Sequence, residues 1–153
     1  MFAKKRIVAR QQLDRRMAAF EPVSRFATPP KGWIRAIRDA LGMTREQLGA
    51  RLGVKPQSIG DLEKSEALGT IRLDSLRRVA EALDCRVIYA LVPEVPLEAM
   101  VEARAREIAR EALARIGHTM DLEAQGLSPA EREARIDDYI GQHVRDRDLW
   151  EVS

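Results

Sequence analysis

One cysteine, Cys85, and two histidines, His118 and His143, are all that this 153-residue chain has of the residues that build disulfides and Cys/His zinc sites. A single cysteine excludes an intrachain disulfide framework. Two histidines and one cysteine do not make a conventional zinc site of local spacing, so no metal is expected. Aromatic residues are scarce, at 5%. No apolar run approaches the roughly 20 residues that a membrane-spanning helix requires. The basic start, Met1–Arg6, leads into no continuous apolar stretch, so a secretory leader is not expected and a cytoplasmic location is. There is no Gly-rich phosphate loop and no Ser or Cys nucleophile patterned with a histidine. Cys85 reads as a small buried hydrophobe, and both histidines as surface residues. The carboxylate pairs Asp137–Asp138 and Glu131/Glu133 read as solvated helix faces. No catalytic residue and no cofactor is expected, and the chain does not read as an enzyme.

Charge, by contrast, is abundant, at 33% of residues. It is also unevenly placed. The net charge is +8 over residues 1–45, zero over 46–93 and −6 over 94–153. A basic N-terminal third suits a polyanion, because each cation set against a phosphate releases a condensed counterion. The acidic C-terminal third would face away from the same polyanion.

The periodicity is helical almost throughout. Residues 1–20 place Leu13, Met17 and Phe20 on one face. Pro22, Pro29 and Pro30 then interrupt any helix and mark an arm. Trp33, Ile34, Ile37 and Leu41 form the apolar side of a helix that Gly42 ends. Thr44, with Gln47 three residues on, is a capping box for a second helix bearing Leu48 and Leu52, and Gly53 ends it. Pro56 suits the first position of a third helix, with Ile59 and Leu62 inward. After a turn at Gly69–Arg72, Asp74 reads as the cap of a fourth helix carrying Leu76, Val79, Ala80 and Leu83. Arg86–Val92, apolar and β-branched, reads as a short strand closed by Pro93. Leu97–Ile116 has the pattern of a long amphipathic helix. Ser128–Pro129–Ala130–Glu131 is a second capping box, opening a last helix with the stripe Ile136, Ile140 and Val144. Three segments follow: a basic N-terminal helix and Pro-containing arm (1–31), a four-helix domain with its terminal strand (32–93), and an acidic helical extension (94–153).

The stretch from Leu41 to Leu83 carries the functional signal. Two short helices joined by Gly53–Val54–Lys55 meet near a right angle, so the second can project from the surface. A projecting helix fits the major groove of DNA. Lys55, Gln57, Ser58, Asp61 and Lys64 lie opposite Ile59 and Leu62. Gln57 can pair with adenine N6 and N7, Lys55 can reach guanine O6 and N7, and Asp61 can accept from cytosine N4. Ser58 is an adaptable fourth base contact, and Gly60 leaves room for a close approach. Thr44 and Arg45, at the start of the preceding helix, suit a phosphate, as do Arg51, Lys64 and Lys31.

These residues also carry a resemblance. Leu41–Leu48, Arg51–Val54, Gln57–Ile59, Leu62–Glu63 and the series Leu73, Leu76, Val79, Ala80 and Leu83 resemble the Cro/repressor-type, XRE-like helix-turn-helix family. The resemblance implies an all-α, lambda-repressor-like helix-turn-helix bundle, here with one short β-strand and a helical C-terminal extension. It implies base-reading positions from Lys55 to Asp61. Many members have Gln where Arg45 stands, and Ser or Thr where Lys55 or Pro56 stands. More narrowly, Pro30–Arg35, Leu62–Ala67, Ala82–Cys85 and Tyr89–Pro93 resemble the bacterial family called mobile mystery protein A. That resemblance implies a partner, the Fic-domain mobile mystery protein B, and a two-gene cassette of the toxin–antitoxin or autoregulated kind. Inhibitors of Fic enzymes resemble Ser/Thr-x-x-x-Glu-Gly/Asn on a helix. Thr119 and Glu123 have that spacing, while Ala124 departs from it. The alternative is a connector with Glu123 solvated.

The apolar strand must pair, either within the chain or with its copy in a homodimer. The helix Leu97–Ile116 either joins that interface or packs on the last helix of its own chain. The basic N-terminal segment either tracks DNA or is a dimer-swapped helix. Three functions are therefore expected to compete: a repressor binding a double-stranded operator as a dimer, an antitoxin binding a Fic partner through 94–153, and a helical interaction module without DNA.

Overall fold

A computed structural model describes residues 2–117 and 126–151 of the chain. Within them every regular element is helical: α1 (Lys4–Met17), α2 (Trp33–Ala40), α3 (Arg45–Leu52), α4 (Pro56–Ala67), α5 (Leu73–Ala82), α6 (Leu97–Gly117) and α7 (Pro129–His143), with short 3-10 turns at Ala18–Phe20 and Val23–Phe26. They divide into two compact units.

The first unit, Pro22–Ala90, holds α2 to α5. Its core is Ile34, Leu48, Ile59 and Val79, one side chain from each helix, with Leu83 just past the end of α5, ringed by Ile37, Met43, Leu52, Leu62 and Leu76. Burying an aliphatic side chain of this size contributes about 1.5–3 kcal/mol, so these five decide the packing of four helices that are too short to be stable alone. The local signals act where the sequence puts them. Thr44 accepts the amide of Gln47 at 3.1 Å while the Gln47 side chain accepts the amide of Thr44 at 2.8 Å, closing a reciprocal cap on α3. Gly53 ends that helix in the left-handed conformation (φ 69°), and Pro56 opens α4.

Three expectations need correction here. Arg86–Val92 forms no strand: the segment is irregular, and no partner strand occurs among the described residues. A strand is a ladder, and β-branched composition supplies no ladder where nothing lies alongside. Ile88, Tyr89 and Leu91 are accordingly exposed. Cys85, expected inside, is also exposed. It follows Asp84, whose φ of 55° turns the chain off α5 into this irregular segment. Asp74 does not cap α5; Arg72 holds the capping position, and Asp74, one residue into the helix, accepts from the Arg72 guanidinium and the Ser75 amide.

The second unit comprises Met1–Glu21 and Leu91–Ser153. Val101, Ala105, Val144 and Leu149 form its core, with Tyr139, Ile140 and Ile108 packed around them. The long helix α6 thus packs on α7 of its own chain, and Arg106 ties the two together through Glu133 (2.7 Å) and Asp137 (2.9 Å). The small residues Ala105 and Ala109 of α6 are both fully buried, and Ala105 belongs to the core formed with Val144 and Leu149. Helix α1 also packs against α6. Asp14 accepts the amides of Leu97 (2.8 Å) and Glu98 (3.3 Å), capping α6 from a distant part of the chain. Arg10 grips Glu98 with two hydrogen bonds (2.7 and 3.2 Å), which raises its pKa above the ordinary arginine value. Among the described residues no helix is long and apolar enough to cross a membrane.

Candidate nucleic-acid interface

The α3–turn–α4 pair is built around one close approach. A Cβ on Gly49 would lie 2.6 Å from the carbonyl oxygen of Val54, so only glycine lets the chain fold back this tightly. The amide of Val54 donates to the carbonyl of Gly49 at 2.9 Å, locking the same turn. Leu48 and Ile59 meet beneath it, both fully buried.

With Ile59, Glu63 and Glu66 turned inward, α4 presents Gln57, Asp61 and Lys64 outward, all exposed. Their spacing of four and three residues stacks them on one face. Lys55 stands exposed at the capping position of the same helix, and Ser58 is half-buried at the edge of the face. None of these five side chains has an ion pair or an acceptor among the described residues, so their hydrogen-bonding capacity is turned to the outside. That arrangement suits the reading of base edges: a bidentate amide, a cation, a hydroxyl and a carboxylate acceptor on one helix of groove-filling width.

The phosphate candidates are placed less uniformly. Arg45 lies across α4, with Nε (3.0 Å) and Nη2 (2.8 Å) both donating to one carboxylate oxygen of Glu63. The Arg45 side chain as a whole remains 46% exposed. Gly60 lies beside this contact, where a Cβ would meet the Arg45 guanidinium at 3.4 Å, an ordinary van der Waals distance. Thr44 has its amide and one hydroxyl lone pair engaged in the capping box, so the hydroxyl proton is the one donor it keeps for a phosphate. Arg51 is turned to the end of α5, donating to the Ala82 carbonyl at 3.0 Å and reaching Asp84 at 3.4 Å. Lys31 is exposed in the turn before α2, and Lys64 joins the α4 face. Thr119 and Glu123 lie outside the described residues.

Sequence reasoning missed what holds this face still. Glu63, only 3% exposed, accepts from Arg38 Nε at 2.6 Å with its other oxygen, and so sits between two guanidinium groups. Arg38, also buried, donates further to the Met43 carbonyl at 2.8 Å and pairs with Asp39. The hydrogen bond to Glu63 holds its pKa above the ordinary arginine value. One turn further along α4, Glu66 accepts the first two amides of α2, Trp33 and Ile34, both at 2.8 Å. Gly32 makes room, since a Cβ there would stand 2.7 Å from that carboxylate. A signal existed for both glutamates. They fall on the stripe defined by Ile59 and Leu62, and a carboxylate on a buried stripe requires a cation or a helix start as partner.

Compared with known families, residues 34–89 match the family model described as helix-turn-helix. The match runs from α2 through α5 and the segment after it. No curated protein and no solved structure matches the chain. The chain therefore carries a helix-turn-helix domain, the kind of domain by which regulators bind DNA.

Proposed function

We propose that this protein is a sequence-specific DNA-binding repressor that acts as a homodimer through α4, with no catalytic role. The observation that carries the reading is the outward face of α4: Gln57, Asp61 and Lys64 exposed and unpaired, with Lys55 ahead of them. The braces from Glu63 and Glu66 support it, because recognition elements must be held rigidly to discriminate between bases. The irregular, partly exposed segment Arg86–Val92 supports a dimer. Its exposed Ile88, Tyr89 and Leu91 and its unladdered backbone would be satisfied by the same segment of a second copy. Two copies related by a twofold axis would address half-sites about 34 Å apart. Regulation of its own operon is the corresponding role, and footprinting on the DNA upstream of its own gene tests it. Wild type should protect a twofold-symmetric site, and Gln57→Ala should lose discrimination at one base pair per half-site, costing about 1–3 kcal/mol. Protection that is the same for both proteins on every sequence would refute base reading by α4.

A second reading concerns residues 94–153, whose net charge is −6. There the protein would neutralise a Fic-domain partner encoded beside it. The spacing of Thr119 and Glu123 favours it. Co-expression with the neighbouring gene product tests it: the two should co-purify, deletion of 94–153 should separate them, and Glu123→Gly should release the partner's toxicity.

A further inference from the structure

Helix α1 has six cations and one acid: Lys4, Lys5, Arg6, Arg10, Arg15 and Arg16 against Asp14. The structure sorts them onto two sides. Asp14 is spent on the amides of Leu97 and Glu98, and Arg10 is held by Glu98, on the side packed against α6. Arg6 reaches Asp146 at 3.7 Å. The other four, Lys4, Lys5, Arg15 and Arg16, are exposed and have no ion pair among the described residues. On α6, by contrast, Arg104, Arg106, Arg110 and Arg115 each pair with a carboxylate. The four free cations are not scattered. Eleven residues separate Lys4 from Arg15 and Lys5 from Arg16, close to three turns at about 3.6 residues each, so the pairs align along one face opposite α6. They stand about 16 Å apart at about 1.5 Å per residue, enough to reach phosphates on both sides of a major groove about 12 Å wide. Exposed Gln12 lies between the pairs, and no acid interrupts the face.

We infer that this outward face of α1 is a second DNA-contacting surface, one that binds the phosphate backbone through Lys4, Lys5, Arg15 and Arg16 without sequence preference. The inference rests on the DNA-binding reading of α4. A membrane surface is the less suitable polyanion, because a helix lying in a bilayer interface needs a broad apolar face to insert, and here the side packed on α6 is unavailable.

The test uses the full chain and two duplexes: one selected by the wild-type protein from a random pool, and a shuffled version of it. Affinity is measured against salt concentration. The Lys4→Ala/Lys5→Ala/Arg15→Ala/Arg16→Ala variant should reduce the slope of log K against log salt by about 3–4 on both duplexes, at about 0.9 per phosphate, and leave their affinity ratio intact. A quadruple glutamine variant, which keeps side-chain length, should do the same, and unchanged circular dichroism shows that folding is not the cause. Gln57→Ala should do the reverse, lowering the ratio and sparing the slope. An unaltered slope in the quadruple variants, while Gln57→Ala still lowers the ratio, overturns the α1 surface and leaves the α4 reading standing. Failure of the wild type to bind any duplex overturns both. Loss of binding to phosphatidylserine vesicles with no change on DNA assigns the face to membranes and overturns it too.

Discussion

Glu63→Ala separates the scaffold of the helix-turn-helix unit from its surface. In the folded protein the Glu63 carboxylate pairs with Arg38 at 2.6 Å and with Arg45 at 2.8 Å. The two arginines differ in their access to water. Arg38 has a side chain only 10% exposed, whereas that of Arg45 is 46% exposed. Removing Glu63 therefore leaves one guanidinium in the interior with only the Met43 carbonyl and Asp39, while the other turns to solvent. Stranding one partner of a buried pair costs about 3–5 kcal/mol, and an exposed pair contributes about 0–1 kcal/mol. Because Arg38 retains two partners, the lower end applies, and a loss of about 3 kcal/mol is expected.

Urea denaturation followed by tryptophan fluorescence in a Trp150→Phe background measures this loss, since Trp33 begins α2 beside the affected helices. Arg45→Ala is the control and should cost about 1 kcal/mol or less. The diagnostic variant is the double replacement Arg38→Met/Glu63→Leu. If the loss comes from a stranded charge, exchanging both partners for apolar groups of similar size recovers most of it. Glu63→Ala within 1 kcal/mol of wild type, or a double variant no more stable than the single one, would refute the account of Glu63 as the counter-charge of Arg38.

Other consequences are open to measurement. Gly49→Val should destabilise the first unit by about 1–3 kcal/mol or more in the same urea assay, because its Cβ meets the Val54 carbonyl at 2.6 Å and backbone must move. Gly60→Ala should be neutral or stabilising by up to about 1 kcal/mol in thermal melts, since a Cβ makes only ordinary contact with Arg45 and alanine is the better helix former. Tyr89→Asp, at an exposed position, should leave helix content unchanged and convert dimer to monomer by analytical ultracentrifugation. In α7, hydrogen bonds from Ser128 hold the Glu131 carboxyl below its ordinary value of 4.5. The stabilisation is complete above that value and is lost as pH falls through the lower folded value. The Ser128 amide should therefore lose exchange protection on acidification, and Glu131→Ala should remove that pH dependence.

What could be read from the sequence follows the range of the interactions involved. The capping boxes at Thr44–Gln47 and Ser128–Glu131, the turn at Gly53 and the start at Pro56 each depend on residues within a few positions of one another, and each forms as the sequence signals. The outward face of α4 was legible for the same reason: helical periodicity alone separates Gln57, Asp61 and Lys64 from Ile59 and Leu62. The failures involve partners far along the chain. Arg86–Val92 has strand composition, but composition does not reveal whether another strand lies beside it. Arg45 reads as a free phosphate donor until α4 brings Glu63, eighteen residues away, against it. Asp14 reads as the lone acid of a basic helix until the chain returns, 83 residues later, to place the start of α6 on its carboxylate. In both cases the distant partner redistributes charge. Glu63 reduces the net charge that Arg45 brings to the recognition face, and the commitment of Asp14 leaves the opposite face of α1 purely cationic. The charge that each unit exposes is thus set by tertiary contacts, which is why the basic character of residues 1–45 suggests a polyanion without showing which of its cations stay unpaired.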